Sequence, residues 1–170
     1  MSAFTKSVRV AHTQRTEDRR MLGVLMEPIG FYSGKSVENA TLLINVPKGF
    51  ITDGVTIPWF FWWFIPPWGQ ETAAAIIHDY MYYTRQYDRK TCDLIFLEGL
   101  EVMKTPYLTR TFAYCMVRWF GGKGFKTFHE RYEKDRYETV INSLDRSYDK
   151  DVYDAIYEFY NYVHGSLITE

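Results

Sequence analysis

The residue pattern changes abruptly near Pro58, and this change most constrains how the chain can fold. Before it, short apolar and β-branched runs such as residues 41–46 alternate with turn residues such as Pro47 and Gly49. Strands closely spaced by turn residues predict a small antiparallel sheet. After it, the pattern becomes helical. We therefore expect an α+β fold, with a small N-terminal antiparallel β-sheet followed by a mostly helical C-terminal half.

The helical half is expected to begin with an antiparallel pair of helices. The first contains three consecutive alanines and no Gly or Pro, which favours a helix. A turn at residues 87–89 would join it to the second helix, and the pair Gly121 and Gly122 would end the third. The three predicted helices cover residues 71–85, 91–103 and 107–120.

The C-terminal segment, residues 125–170, is acidic and helical in pattern. It carries six Lys and Arg against ten Asp and Glu. We expect a helical acidic extension packed on a single α+β domain formed by residues 1–124. A docking arm is the alternative interpretation of the same pattern. Four apolar residues recur on one face at helical spacing: Val152, Ile156, Phe159 and Val163.

Composition excludes several classes of protein. A chain of 170 residues with 46% hydrophobic residues is a folded protein of about one domain. With 20 Lys and Arg, 21 Asp and Glu and a net charge of -1, it lacks the basic surface of a nucleic-acid binder. Cys92 and Cys115 cannot form a disulfide scaffold. Neither a signal peptide nor a transmembrane segment is recognisable, so we expect a cytoplasmic location.

An aromatic loop is predicted at residues 59–68. It contains four of the five tryptophans of the chain and several phenylalanines. These side chains would either fill the core beneath the sheet or form an exposed patch for a lipid or a protein, since Trp favours membrane–water boundaries. Both interpretations remain open at the level of the sequence.

His78 and Asp93 form the candidate catalytic pair. A histidine is the usual general base near neutral pH, and it needs a third group that fixes its tautomer and orientation. In an antiparallel helix pair with axes about 8–10 Å apart, Asp93 on the second helix can reach His78 on the first. The alternatives are that Asp93 caps the second helix, or that the pair belongs to a structural polar network.

Asp79 is the candidate metal ligand. It follows His78 directly and so points about 100° away around the helix, where it could reach the predicted turn at Asp53 and Gly54. A carboxylate beside exposed backbone carbonyls is typical of a calcium site. On its own, the Asp53–Gly54 pair is also an ordinary turn signal.

A longer string connects these elements. It runs through residues 46–58 (VPKGFITDGVTIP), 74–83 (AAIIHDYMYY), 93–96 and 116–121. It resembles the bacteriophage and prophage family catalogued as domain of unknown function 1353, over about residues 45–125. The resemblance implies a phage origin, and with it a location in the host-cell cytoplasm or in the virion, but it implies no activity.

A second resemblance concerns chemistry. His78-Asp79-x-x-Tyr82 followed by Cys92-Asp93-x-x-Phe96 is similar to the active-site helices of the secreted phospholipase A2 superfamily. It implies that His78 is the general base for a water molecule, that Asp93 orients it and that Tyr82 supports the pair. It further implies a calcium ion that polarises an ester carbonyl. The implied metal-binding residues are Asp79, Asp53, Gly54 and Val55.

Two functions follow from these observations. The first is a phage-encoded, metal-assisted ester hydrolase that uses the His–Asp site, with the aromatic loop suited to a lipid surface. The second is a non-enzymatic phage protein, either a virion component or a binder of a host factor. In the second case the same polar residues would hold the fold together, and the aromatic loop would be an interface.

Overall fold

The computed structural model describes residues 2–12, 22–34, 37–52, 69, 71–127 and 150–164. The predicted aromatic loop at residues 59–68 lies outside this range, as do Asp53, Gly54 and Val55. The α+β fold class is confirmed, because antiparallel strands occupy the first part of the chain and helices follow. Within the described range, none of the helices has the length and apolar character that a membrane span requires.

The described strands are β1 (Ser2–Phe4), β2 (Val10–His12), β3 (Gly23–Leu25), β4 (Ile29–Gly34), β5 (Ala40–Val46) and β6 (Ile51–Thr52). They form two three-stranded antiparallel sheets, ordered β1-β4-β5 and β2-β3-β6. In β5, Ile44 and Val46 are buried whereas Leu43 and Asn45 are exposed, so one face of the strand lines the core. Phe31 of β4 lies opposite Ile44 and is also buried.

Two local signals define the turn between the first two helices. The first helix ends at Arg85, which adopts a left-handed conformation with φ 52° and donates its backbone N–H to the carbonyl of Met81. The second is capped by Asp88, whose Oδ1 accepts hydrogen bonds from the backbone N–H of Lys90 at 2.9 Å and of Thr91 at 3.2 Å. This cap starts the second helix two residues before the predicted start. The described helices are α1 (Thr72–Thr84), α2 (Arg89–Val102), α3 (Tyr107–Thr127) and α4 (Lys150–His164).

Helix α1 is the centre of the core. Every residue from 73 to 82 is buried, as expected of a helix surrounded by other elements on all sides. Close packing against α2 depends on small residues, because a Cβ added at Gly99 would lie only 3.0 Å from the Cβ of Ala74. Consequently His78 and Asp79 are buried although they are polar.

The prediction that α3 ends at Gly121 and Gly122 is wrong, since the helix continues to Thr127. These glycines make room for side chains of the neighbouring helices. A Cβ at Gly121 would lie 2.8 Å from the hydroxyl of Tyr82, and one at Gly122 would lie 3.2 Å from Nη1 of Arg89. The glycine pair therefore allows close approach to α1 and α2 instead of breaking the helix.

Helix α4 packs against the core through the predicted apolar face. Val152, Ile156 and Phe159 are buried. The turn before β6 rests directly on the backbone of this helix, because a Cβ at Gly49 would lie 1.8 Å from the carbonyl oxygen of Ala155. Gly49 also has φ 85°, in the left-handed region that favours glycine. Both the backbone conformation and the space at this position require glycine.

We predict that Gly49→Ala destabilises the protein by at least about 1 kcal/mol, since a left-handed conformation costs a non-glycine residue about 1–2 kcal/mol and the contact with Ala155 adds to that cost. Urea unfolding followed by circular dichroism measures the change. Gly124→Ala is the matched control, because a Cβ at Gly124 meets no described atom within 4 Å and Ala favours a helix. Equal stability of the two variants would contradict the role of Gly49.

Candidate functional site

The antiparallel pair α1 and α2 brings the predicted catalytic residues together. Nε2 of His78 lies 2.8 Å from Oδ1 of Asp93. The hydroxyl of Tyr82, one turn further along α1, donates to the same oxygen at 2.6 Å. Asp93 is fully buried, and His78 keeps only 6% of its surface exposed. The three residues therefore form one buried polar cluster.

Arg118 of α3 completes this cluster. Its Nη1 donates to Oδ2 of Asp93 at 2.6 Å, so each carboxylate oxygen has a donor. The backbone carbonyl of Arg118 accepts a hydrogen bond from Nη2 of Arg89 at 3.1 Å, which ties α3 to α2. Arg118 lies in the string at residues 116–121, but sequence reasoning assigned it no role. The available signal was one cation within the largely apolar stretch 112–120, together with the need of a buried carboxylate for a countercharge.

These contacts determine the charge of the cluster. Burial by itself raises the pKa of Asp93, but hydrogen bonds from His78, Tyr82 and Arg118 outweigh it and hold that pKa below its ordinary value. Burial, aided by the bond to Asp93, raises the pKa of Tyr82. The hydrogen bond to Asp93 likewise raises the pKa of Arg118. At neutral pH, Asp93 is thus an anion, and Tyr82 remains a donor.

The ionised carboxylate fixes the tautomer of His78. A carboxylate only accepts hydrogen bonds, so Nε2 of His78 must carry the proton. In the neutral ring, the lone pair then lies on Nδ1. The ring contacts those of Tyr82 and Phe96, with centroid distances of 4.1 Å and 5.0 Å. The arrangement can accept a proton at Nδ1 and stabilise the resulting imidazolium through Asp93.

Asp79 lies on the other side of the histidine. Its Oδ2 accepts a 2.5 Å hydrogen bond from the hydroxyl of Thr52 in β6, the residue that precedes Asp53 in the chain. Its Oδ1 lies 4.0 Å from Nδ1 of His78, too far for a hydrogen bond. Asp79 is the one predicted metal ligand that the structure describes. In that part of the chain, no group of three or more His, Cys, Asp or Glu side chains could hold a metal.

The geometry also bears on the capping alternative for Asp93 and on the reactivity of Cys92. Asp93 does not cap α2, because Asp88 occupies that position. Cys92, next to Asp93, is fully buried. Burial raises the pKa of its thiol to about 12, so the thiolate, which is the reactive form of cysteine, is scarce at neutral pH. The chemistry of the site is therefore that of the histidine and the carboxylates.

One protein family matches the chain. The profile of the family described as Protein of unknown function (DUF1353) covers residues 31–117, just over half of the 170 residues. The chain belongs to this family. In this DUF1353 protein the match includes His78, Asp79 and Asp93, and it ends one residue before Arg118. Neither a curated protein nor a solved structure matches the chain.

We predict that Asp93→Asn destabilises the protein by about 1–3 kcal/mol, the usual cost of leaving buried hydrogen-bonding groups without their partner. The amide places a donor where three donors now meet and leaves the charge of Arg118 without its partner. Urea unfolding at neutral pH measures the loss. Asp88→Asn is the matched control, because Asn caps a helix about as well as Asp. A loss no larger than that of the control would contradict the central position of Asp93.

Asp93→Asn should also change how the free energy of unfolding depends on pH in the acidic range. The pKa of folded Asp93 lies below the unfolded value of about 3.9, so the carboxylate stabilises the fold above about pH 4 and this contribution is lost as the pH falls further. Between about pH 5 and pH 2, the wild type should therefore lose more stability than Asp93→Asn. Parallel pH profiles of the two proteins would contradict the lowered pKa of Asp93.

Proposed function

We propose that this DUF1353 protein is an ester hydrolase in which His78 is the general base. One observation carries the proposal: Nε2 of His78 is engaged by the buried carboxylate of Asp93 at 2.8 Å, which directs the basic lone pair to Nδ1. A base oriented by a carboxylate is the arrangement that nucleophile activation requires. The placement of Tyr82 on the same carboxylate oxygen supports the likeness to the phospholipase A2 superfamily.

The proposed reaction uses water as the nucleophile. Nδ1 of His78 takes a proton from the water, whose oxygen attacks the ester carbonyl. Asp93 stabilises the imidazolium that forms, and the proton then passes to the departing alkoxide. Arg118 would act indirectly, since its ion pair with Asp93 keeps that carboxylate charged and in place.

A calcium ion is the proposed metal. Asp79, Asp53, Gly54 and Val55 would hold it, and when bound it would polarise the ester carbonyl. The hydrogen bond between Asp79 and Thr52 supports this assignment, because Thr52 directly precedes the other three residues. Phospholipid is the substrate class that the resemblance favours. A phage origin and a lipid or protein contact through residues 59–68 belong to the same proposal.

We predict that His78→Gln strongly slows ester hydrolysis while the fold is retained, because the glutamine amide can still donate to Asp93 but cannot act as a base. Removal of a general base should lower the rate about 100- to 10,000-fold. The assay measures hydrolysis of a soluble nitrophenyl ester and of a dispersed phospholipid, each with calcium or with a chelator.

His12→Gln is the matched control for this experiment. His12 is exposed on β2, so its replacement should leave any hydrolysis unchanged. If the wild type hydrolyses neither ester in the presence of calcium, or if both variants are equally active, His78 is not the base of an ester hydrolase. The non-enzymatic alternative, a virion component or host-factor binder, would then account for the cluster.

We further predict saturable calcium binding that Asp79→Asn removes, because the amide replaces the anionic ligand with a neutral one. Isothermal titration calorimetry of the full chain measures it. Asp88→Asn serves as the control, since Asp88 caps α2 and is not one of the proposed ligands. The absence of binding at millimolar calcium, or unchanged binding by Asp79→Asn, would contradict the metal assignment.

A further inference from the structure

Two large aromatic side chains are exposed on the C-terminal half of α3. Trp119 is 71% exposed and Phe120 is 60% exposed. Adjacent exposed aromatics of this size usually mark a contact surface. Tryptophan in particular favours the boundary between water and a lipid bilayer, where its ring is buried and its N–H stays hydrated.

The charge of this helix is one-sided. Helix α3 contains four basic residues and no acidic residue, although the chain as a whole has a net charge of -1. Arg110 pairs with Glu101 at 3.1 Å, and Arg118 pairs with Asp93. The other two cations, Lys123 and Lys126, are exposed. Neither forms an ion pair with a carboxylate of the described residues.

The exposed aromatics and the two lysines occupy one side of the helix. At about 100° per residue, Trp119, Phe120, Lys123 and Lys126 fall within an arc of about 120°. We call these four residues the α3 surface. The combination of large apolar rings with neighbouring lysines is typical of helices that lie in the interface of an anionic bilayer.

The α3 surface lies beside the His78–Asp93 cluster. Arg118, which contacts Asp93 at 2.6 Å, directly precedes Trp119. Gly121, one residue after Phe120, faces the hydroxyl of Tyr82. A bilayer bound to this surface would therefore lie close to the residues to which we assign the chemistry.

We propose that the α3 surface docks on an anionic lipid bilayer. The rings of Trp119 and Phe120 enter the boundary between headgroups and acyl chains, and Lys123 and Lys126 meet lipid phosphates. Charge complementarity selects this occupant, because a neutral apolar partner would leave both lysines without counterions. That the bilayer supplies an ester substrate rests on the proposed function. Binding of the α3 surface to the bilayer requires no catalytic step.

Co-sedimentation of the full chain with large vesicles tests the proposal. The protein should bind phosphatidylcholine vesicles that contain phosphatidylglycerol, and binding should weaken with added NaCl because the Debye length shortens. The double variants Trp119→Ser/Phe120→Ser and Lys123→Glu/Lys126→Glu should each lower the affinity at least about tenfold. All four side chains are exposed, so thermal unfolding should be unchanged.

Matched controls come from α4. Tyr157, which is 50% exposed, and the exposed Lys150 lie outside the α3 surface. The variants Tyr157→Ser and Lys150→Glu should therefore bind like the wild type. The proposal is overturned if the wild type does not bind, if pure phosphatidylcholine binds it equally well, or if the α3 variants bind like the controls.

This test is separable from that of the hydrolase. His78→Gln should bind anionic vesicles as the wild type does, because His78 lies inside the core. The soluble ester assay, in turn, needs no lipid surface. Loss of vesicle binding by the α3 variants with full activity on the soluble ester would support the docking surface by itself. Vesicle binding without any ester hydrolysis would reject the hydrolase alone.

Discussion

The buried carboxylate of Asp93 is the interaction on which the arrangement of the first three helices depends. It accepts hydrogen bonds from His78 and Tyr82 of α1 and from Arg118 of α3, while it belongs itself to α2. A buried charge is costly unless it is paired and hydrogen-bonded, so α1 and α3 must stay where their donors reach it. The small residues at the helix contacts, such as Gly99 and Gly121, permit the short distances that this requires. One side chain thus determines both the packing and the electrostatics of the site.

The same interaction fixes the tautomer of His78. Because the carboxylate engages Nε2, the neutral ring presents its lone pair at Nδ1, on the side of Asp79 and β6. The ring is further restrained by Tyr82 and Phe96. All of these residues lie on helices of the core, and rigid elements hold a catalytic geometry more closely than loops do. The ring of His78 is therefore held in one tautomer by a carboxylate, as its proposed role of general base requires.

Helix α3 links this interior to the surface. Arg118 points inward to Asp93, whereas the next residue, Trp119, is exposed. Successive helical residues diverge by about 100°, so one short segment can serve both purposes. The glycine pair that follows keeps the helix close to Tyr82 and Arg89. Any partner bound to the α3 surface would consequently lie close to the polar cluster around Asp93.

By itself, the sequence determined the features that depend only on residues close together in the chain. The turn-rich strands before Pro58, the predicted helices at residues 71–85 and 91–103, and the meeting of His78 with Asp93 all follow from local periodicity and a short turn. Only the tertiary structure decided the partners that lie far apart: Arg118 beside Asp93, Thr52 beside Asp79, and Gly49 against α4. The glycines at 121 and 122 show the reason. A glycine either ends a helix or admits a neighbouring side chain, and which of the two occurs depends on the faces that pack against it, a property that no local pattern contains.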